Sequence, residues 1–257
     1  MLVLSDVHHA LEPLRRVVAT GEMLLILGDL VNLTDYRTGE GAVAEVLGLE
    51  FSRAAATARG EGDFKQMRAL WVEKVGDQID EIRHAIGEAI DHQYEEIAEA
   101  LDGGHGYVIH GNVDRPGSLQ RHLPPGFEYL HGETRDIEGV RFGFIGGGAA
   151  TPLQAEGEVS EEALEQLLGE IGAVEVLCTH VPPALDPLRR DVVTGRAERG
   201  SVPILRYLHT HAPLLHLFGD VHQPQASTWR IGRTRCRNVG YFRATGRPIQ
   251  LDLASLR

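Results

Sequence analysis

The sequence predicts an α/β fold in which short buried strands alternate with helices and a helical insertion interrupts the order. Three observations carry that prediction. Short apolar runs recur along the chain, and each ends in a polar cluster. Stretches with the apolar spacing of helices lie between the runs. One such stretch, from about Ala42 to Leu101, is far longer than a crossover between parallel strands needs.

In chain order, Leu2-Val3-Leu4 leads into Ser5-Asp6-Val7-His8, and Leu24-Leu25-Ile26-Leu27 into Gly28-Asp29. Tyr107-Val108-Ile109 leads into His110-Gly111-Asn112, Val174 to Cys178 into Thr179-His180, and Leu214 to Phe218 into Gly219-Asp220-Val221-His222. Continuous apolar runs of this kind read as strands of a sheet covered on both faces. In open α/β sheets ligands bind beyond the carboxyl ends of the strands, where these polar clusters fall. Leu11 to Thr20 reads as a short helix with Pro13 near its start. Ala42 to Leu101 reads as two or three helices broken around Gly60 to Asp63, with Trp71, Val75, Ile79, Ile82, Ile86, Ile90 and Ile97 at helical spacing. It leaves just after Asp29 and returns just before Asn112, so both its ends attach at the strand-end edge; a lid and a dimer contact are its two readings.

Ser160 is expected to cap a helix over Glu161 to Leu168, and Ser201 one that reaches His211 with Pro203 in its first turn. Phe142 to Ile145 and the tail Ile249 to Leu253 read as further strands. Thr228 to Ile231 and Thr234 to Arg237 read as a hairpin around Gly232-Arg233. Gly146-Gly147-Gly148, with Thr151-Pro152 after it, does not fit a dinucleotide-binding loop and reads as a flexible turn, with a place near the site as an open reading.

The 257 residues are read as one domain, 1–257, that includes the insertion. A formal net charge of -12 disfavours a role in coating nucleic acid, because the surface repels phosphates at long range. It leaves room for a small phosphorylated substrate at a locally positive centre. Cys178 and Cys236 make no disulfide framework and read as packed thiols; a reducing cytoplasm is the simplest setting. No membrane span is expected, since no apolar run approaches the roughly 20 residues that a bilayer requires. Leu2-Val3-Leu4 is also too short for the apolar region of a secretory leader.

Asp6, His8, Asp29, Asn112, His180, Asp220 and His222 all fall at strand ends, and each can bind a cation. A mixed carboxylate, carboxamide and imidazole set suits Mn, Fe or Zn better than Ca alone or an iron–sulfur cluster. So many donors exceed the needs of one ion. They suit two ions about 3.5–4 Å apart that share a carboxylate, clamp a phosphate and polarise an attacking water.

The blocks Asp6-Val7-His8, Gly28-Asp29, Gly111-Asn112-Val113-Asp114, Thr179-His180 and Gly219-Asp220-Val221-His222 resemble, in order, the motifs of the calcineurin-like metallophosphoesterases. That family runs D-x-H, G-D, G-N-H-[DE], a lone H after a strand, and G-H-x-H. Asn238-Val239-Gly240 is similar to the Asn-Pro-Gly that often follows. The resemblance implies a two-sheet α/β sandwich flanked by helices and two divalent metal ions, Mn favoured over Fe or Zn. It also implies hydrolysis of a phosphodiester or phosphomonoester by a hydroxide that bridges the metals. It places Asp6, His8, Asp29 and His222 around the first ion, and Asn112, His180 and Asp220 around the second, with Asp29 as the bridge. Asp29, Asn112 and His180 take the catalytic assignment.

Two positions depart from the pattern. Val113 stands where the family's histidine often protonates the leaving group, which favours substrates with good leaving groups. Some small bacterial and archaeal phosphodiesterases of the family also lack that histidine, whereas other members without it are protein-binding scaffolds. A scaffold without turnover is therefore the rival reading. Asp220 stands where the family usually has histidine; its harder oxygen is expected to tilt the second ion toward Mn or Mg. His9 reads either as a substrate contact or as a surface histidine. Arg189 and Arg190 read either as bidentate phosphate contacts or as part of a solvated loop. His84, His92, His122 and His131 are read as surface residues, and a homo-oligomer through the insertion is a further expectation.

Overall fold

A computed structural model of the chain describes residues 1–151, 155–193 and 195–256, so Pro152 lies outside the described residues. The chain divides into two compact units, one of Met1–Leu30 with Ile97–Arg257 and one of Val31–Glu96.

The first unit is a mixed α/β structure with two multi-stranded sheets flanked by helices. It opens with β1 (Leu2–Leu4), α1 (Leu11–Val18) and β2 (Leu24–Leu27). In the second unit lie α2 (Ala42–Leu47), α3 (Leu49–Glu61), α4 (Phe64–Val75) and most of α5 (Ile79–Leu101). The first unit resumes with β3 (Gly106–Ile109), α6 (Pro116–His122), β4 (Phe127–Tyr129), β5 (Glu133–Ile137), β6 (Val140–Ile145), β7 (Gly148–Ala149) and β8 (Glu158–Val159). Then follow α7 (Glu161–Ile171), β9 (Val176–Thr179), α8 (Asp186–Arg189), α9 (Val202–His211), β10 (Leu215–Phe218), β11 (Thr228–Ile231), β12 (Thr234–Asn238), α10 (Phe242–Thr245) and β13 (Ile249–Gln250).

One sheet has the order β13-β1-β2-β3-β4 and the other β11-β12-β10-β9-β6-β5. Strands β1 to β4 run parallel, with Leu4 beside Ile26 and Leu27 beside Ile109. Strands β6, β9, β10 and β12 also run parallel, with Ile145 beside Thr179. Each sheet therefore carries the carboxyl ends of its parallel strands to one edge.

Alternation along the strands makes the core between the sheets. Val3, Leu25, Leu27 and Ile109 from one sheet pack with Phe142, Phe144, Val176, Cys178, Leu215 and Leu217 from the other. The intervening Leu177 and Phe218 face the opposite way. They meet Leu164 and Leu168 of α7 and Ile204 and Leu208 of α9. A strand buried on both faces has no polar alternation, which is why these runs are continuously apolar. Ser160 and Ser201 cap α7 and α9, accepting from the N–H groups of Ala163 and Ile204. Burial raises the thiol pKa of both cysteines, that of Cys236 to about 12, so both are packed and protonated.

The helical stretch holds four helices, not the two or three expected, because Gly48 and Gly76 also end helices; at Gly62 a left-handed φ of 75° ends α3, and Asp63 caps α4 through the Gln66 N–H. Gln93 of α5 binds the backbone of Asn32 from both sides, at 2.7 and 3.2 Å. Val75, Ile86, Ile90 and Ile97 are buried, but Ile79, the first residue of α5, is 45% exposed. Among the described residues no helix is long and apolar enough to cross a membrane.

Several expectations are corrected. The tail is a strand only over Ile249–Gln250; beyond it a 3-10 turn at Leu253–Leu256 sends Leu253 and Leu256 into the core. The Gly146–Gly148 segment is a close-packed crossing, not a loose turn. A Cβ on Gly146 would stand 2.4 Å from His110 Nδ1, and one on Gly148 2.1 Å from the Asn112 Cβ. His131 is half-buried against the His110 ring at 4.8 Å, and half-buried His122 meets the Ser118 carbonyl at 2.9 Å; His84 and His92 are exposed.

His216 of β10 is fully buried. Its Nε2 lies 2.9 Å from Thr179 Oγ1, which itself donates to the Val181 carbonyl at 2.8 Å. The hydroxyl has one proton, so Nε2 must be the donor and Nδ1 keeps a lone pair with no partner. A second proton would create an unpaired buried charge, and burial pushes the pKa from 6.5 to about 3. The unfolded chain binds that proton below pH 6.5, so the stability this neutral histidine allows is intact above pH 6.5 and lost as pH falls toward 3. The expected slope is about 1.4 kcal/mol per pH unit. Urea unfolding of the wild type and His216→Leu at pH 7.5, 6 and 5 should show the stability of the wild type falling relative to the variant, approaching that slope below pH 6.5; a constant difference would refute it.

Candidate metal centre

The side chains of the five motif blocks converge where the two sheets bring their parallel strand ends together. Asp6 follows β1, Asp29 follows β2, Asn112 follows β3, His180 follows β9, and Asp220 and His222 follow β10. Asp6, Asp29 and His180 are buried. His8 and His222 keep 12% and 31% of their side chains exposed.

Two observations explain how the chain turns its donors inward. Asp6, His8, His9, Asp29 and Asp220 all have φ between 41° and 67°, a left-handed conformation uncommon in non-glycine residues. Backbone bonds hold them there: Asp6 N–H to the Gly28 carbonyl (3.0 Å), His8 N–H to the Asp29 carbonyl (2.9 Å) and Asp220 N–H to Asp6 Oδ2 (3.2 Å). Secondly, neighbouring loops approach too closely for side chains. A Cβ on Gly111 would stand 2.1 Å from Asp29 Oδ1, and one on Gly219 2.0 Å from Ser5 Oγ.

His180 Nδ1 lies 2.7 Å from the Leu27 carbonyl oxygen. A carbonyl only accepts, so Nδ1 carries the proton and Nε2 turns to the centre. There it meets Asn112 Oδ1 at 3.2 Å, Asp29 Oδ1 at 3.5 Å and Asp220 Oδ1 at 3.9 Å. On the other side, His8 Nε2 and His222 Nε2 face one another at 3.3 Å. Asp29 Oδ2 is 3.7 Å from His8 Nε2, while its Oδ1 accepts from the Val113 N–H at 3.1 Å. Asp29 therefore presents one oxygen to each side. Asp6 Oδ1, 3.3 Å from His222 Nε2, is buried without a hydrogen bond.

The electrostatics follow from this crowding. Burial opposes ionisation of Asp6 and Asp29, but His222 in the first case and His180 in the second hold both carboxyls below their ordinary values. Burial also disfavours charge on His180 and His222, yet Asp29 and Asp6 respectively raise them above the ordinary imidazole value. Burial, with the charges of Asp29, Asp6 and Glu198 against the pull of His180, pushes Asp220 up to about 7. Acceptor atoms facing each other at hydrogen-bond distance need a proton or a cation between them. Among the described residues, Asp6, His8 and His222 form one group able to hold a metal ion, and Asp6, Asp29 and His180 a second. In each group the donor atoms lie within 4.8 Å of one another. The orphaned Asp6 oxygen and the mixed oxygen and nitrogen donors fit a divalent ion of borderline hardness.

His9 donates its backbone N–H to the Leu30 carbonyl at 2.7 Å. Arg189 donates to Asp186 Oδ1 at 2.7 Å, and Arg190 lies 3.8 Å from Asp186 Oδ2 and donates to the Gly195 carbonyl at 3.1 Å. Both guanidiniums thus have local partners.

Two supports escape a reading of the sequence. Asp114 accepts the N–H groups of Asp29 and Gly111, both at 2.8 Å, and of Leu30 at 3.0 Å, tying the loops after β2 and β3 together. Behind Asn112, the ring of His110 bonds the Tyr129 hydroxyl at 2.9 Å through Nδ1. Burial, with His131 beside it, pushes His110 down to about 3. The Asp114 of the G-N-V-D block was the signal present for the first; nothing local marked the second.

No protein-family model matches the chain, and no curated protein matches its sequence. Solved structures do resemble it. One crystal structure is 18% identical, with a TM-score of 0.59 over 94% of this chain and 90% of its own. TT1561 of Thermus thermophilus is 14% identical, with a TM-score of 0.46 over 93% and 88% of the two chains. A protein assigned as a 5'-nucleotidase from Staphylococcus aureus, in complex with alpha-ketoglutarate, is 13% identical with a TM-score of 0.44, and the match covers 93% of this chain and 48% of that one. The first likeness is one of fold, and the two looser ones add nothing to it.

Asp114→Asn keeps one acceptor oxygen for three N–H donors, so a buried donor loses its partner. We expect a loss of about 1–3 kcal/mol in guanidinium unfolding of the metal-free protein. An unchanged midpoint would show that the two loops hold their places without this carboxylate.

Proposed function

We propose that the chain is a metal-dependent phosphoesterase acting on small phosphodiesters or phosphomonoesters, with two divalent ions as cofactors. The observation that carries this reading is the pair of adjacent candidate ion-binding groups, with His8 and His222 in one and His180 in the other, and Asp29 turning one oxygen toward His8 and the other toward His180. Their residues fall, in order, in the blocks that resemble metallophosphoesterase motifs. Asp6, His8, Asp29 and His222 would hold one ion, and Asp29, Asn112, His180 and Asp220 the other. When bound, such ions supply positive charge to the phosphoryl oxygens and lower the pKa of water.

The chain's own residues set the rest. Asp29 spans the two halves. The Leu27 carbonyl holds His180 in the tautomer that leaves Nε2 toward the centre. Oxygen donors from Asp6, Asp29, Asp220 and Asn112 outnumber the three imidazoles, which favours manganese. The three carboxylates also favour a monoanionic diester over a dianionic monoester, because each extra substrate charge meets them at short range. Val113 can serve only through its backbone N–H, which fixes Asp29. Its side chain offers the leaving group no proton, so the rate should depend on leaving-group pKa. The rival, a partner-binding scaffold, draws support from the same valine.

The test is hydrolysis by chelator-stripped protein with added Mn²⁺. Activated aryl diesters should be cleaved, alkyl esters far more slowly, and Asp29→Asn should fall to background. Metal binding without turnover on any ester would favour the scaffold; full activity of Asp29→Asn would sink the two-ion reading. Asp220→His exchanges a hard oxygen for a nitrogen donor, and should raise affinity for Zn²⁺ relative to Mn²⁺ in competition titrations. An unaltered Zn²⁺/Mn²⁺ ratio would remove Asp220 from the donor set.

A further inference from the structure

Tyr241 follows β12, outside the blocks that carry the candidate donors, yet its ring lies against them. It is flat on the His222 imidazole, with centroids 3.8 Å apart and planes 2° from parallel. It meets the His8 ring edge-on at 5.8 Å. His222 lies in irregular chain between β10 and β11 with 31% of its side chain exposed. Burial alone therefore leaves its ring torsion broad, as terminal sp³–sp² torsions are. Its Nε2 nevertheless stands 3.3 Å from both Asp6 Oδ1 and His8 Nε2.

The segment that carries Tyr241 is fastened to the same place from both sides. Before it, the Asn238 amide donates to the Gly219 and Val221 carbonyls at 3.2 and 2.9 Å, and Asn238 Oδ1 accepts from the Gly240 N–H at 2.8 Å. After it, Phe242 N–H donates to the Ser5 carbonyl at 3.1 Å and Arg243 N–H to the Asp6 carbonyl at 3.0 Å. The Arg243 guanidinium donates to the His8 carbonyl. Tyr241 is thus held in register with the loop that bears Asp6 and His8 and with the loop that bears His222.

The geometry points to Tyr241 as a positioning residue for the ion held by Asp6, His8 and His222: its ring face fixes the His222 imidazole with Nε2 toward that ion. The inference rests on the metal reading above. Stacking needs the flat face and not the hydroxyl, so phenylalanine should serve, whereas leucine supplies bulk without a face. The ion on the other side depends on His180, which the Leu27 carbonyl fixes, and should be indifferent to the change.

The experiment is calorimetric titration of chelator-stripped full-length protein with MnCl₂, for the wild type, Tyr241→Phe and Tyr241→Leu. Thermal melts of the metal-free forms and Mn²⁺ paramagnetic resonance accompany it. The wild type should take two ions and show the spin-coupled signal of a manganese pair. Tyr241→Leu should melt with the wild type and keep one ion at unchanged affinity, while the other binds at least about tenfold more weakly, as for removal of groups that orient a ligating histidine. Its resonance should then be that of isolated Mn²⁺, and Tyr241→Phe should restore the coupled signal. Two wild-type affinities in Tyr241→Leu would overturn the inference, and so would equal loss of both ions. A Tyr241→Phe that behaves like Tyr241→Leu would overturn it too, because the hydroxyl would then matter and not the ring face. A wild type that takes fewer than two ions would instead fail the metal reading, whatever the variants do.

Discussion

The carboxylates of Asp6, Asp29 and Asp220 crowd around the Nε2 atoms of His180 and His222 at separations of 3.3 to 3.9 Å. Like charges in a space largely closed to water repel strongly, since little solvent screens them. The carboxylates raise both imidazoles toward the charged form, and burial with the neighbouring carboxylates raises Asp220 toward the neutral one. A proton between two acceptors is the weakest version of what a divalent ion would do there. The requirement for positive charge at this one point gives the surrounding loops their common purpose.

Bringing these donors together costs backbone strain, and the strand ends bear it. Left-handed conformations at Asp6, His8, Asp29 and Asp220 each cost on the order of 1–3 kcal/mol and persist only where their surroundings over-determine them. Here they do. The parallel strands of both sheets end at one level, so adjacent loops exchange backbone hydrogen bonds, and Asp114 adds a charged acceptor to three N–H groups that the turns leave over. Glycine at 111 and 219 lets the loops approach within a distance that a Cβ would forbid. Strain of this kind is stable only on a rigid base, which the apolar layer between the sheets supplies.

Much of that base was legible in the sequence. The apolar runs at Leu24 to Leu27 and Leu214 to Phe218 mark strands buried on both faces, and the polar residues after them mark the edge where they end. The short or half-exposed strands were not legible. Glu133–Ile137 is mostly polar because only one residue of it is buried, and β7 and β8 are two residues each, too short for any period to register. The convergence of the motif residues could be anticipated, because a strand end is a place in space as well as in sequence. Their supports could not. Tyr241 and Tyr129 act across long chain separations, through ring faces and a hydroxyl that carry no local pattern. The triple glycine misled for a related reason: Gly146–Gly148 is small because His110 and Asn112 lie against it, whereas the same composition elsewhere would signal freedom.

The two halves of the centre are braced by different means, and this makes them unequal. The half around Asp29, Asn112 and His180 is held by backbone: a carbonyl on His180, an N–H on Asp29, and the glycine crossing against Asn112. His180 is wholly buried, so its geometry moves only if the sheets do. The half around His8 and His222 opens to solvent, and its imidazoles are steadied by each other and by the flat face of a third ring. Contacts between rings fix orientation less firmly than a buried hydrogen bond to a strand carbonyl. Any loosening of the centre should therefore begin with His222 and His8, while Asp29, Asn112 and His180 hold their places.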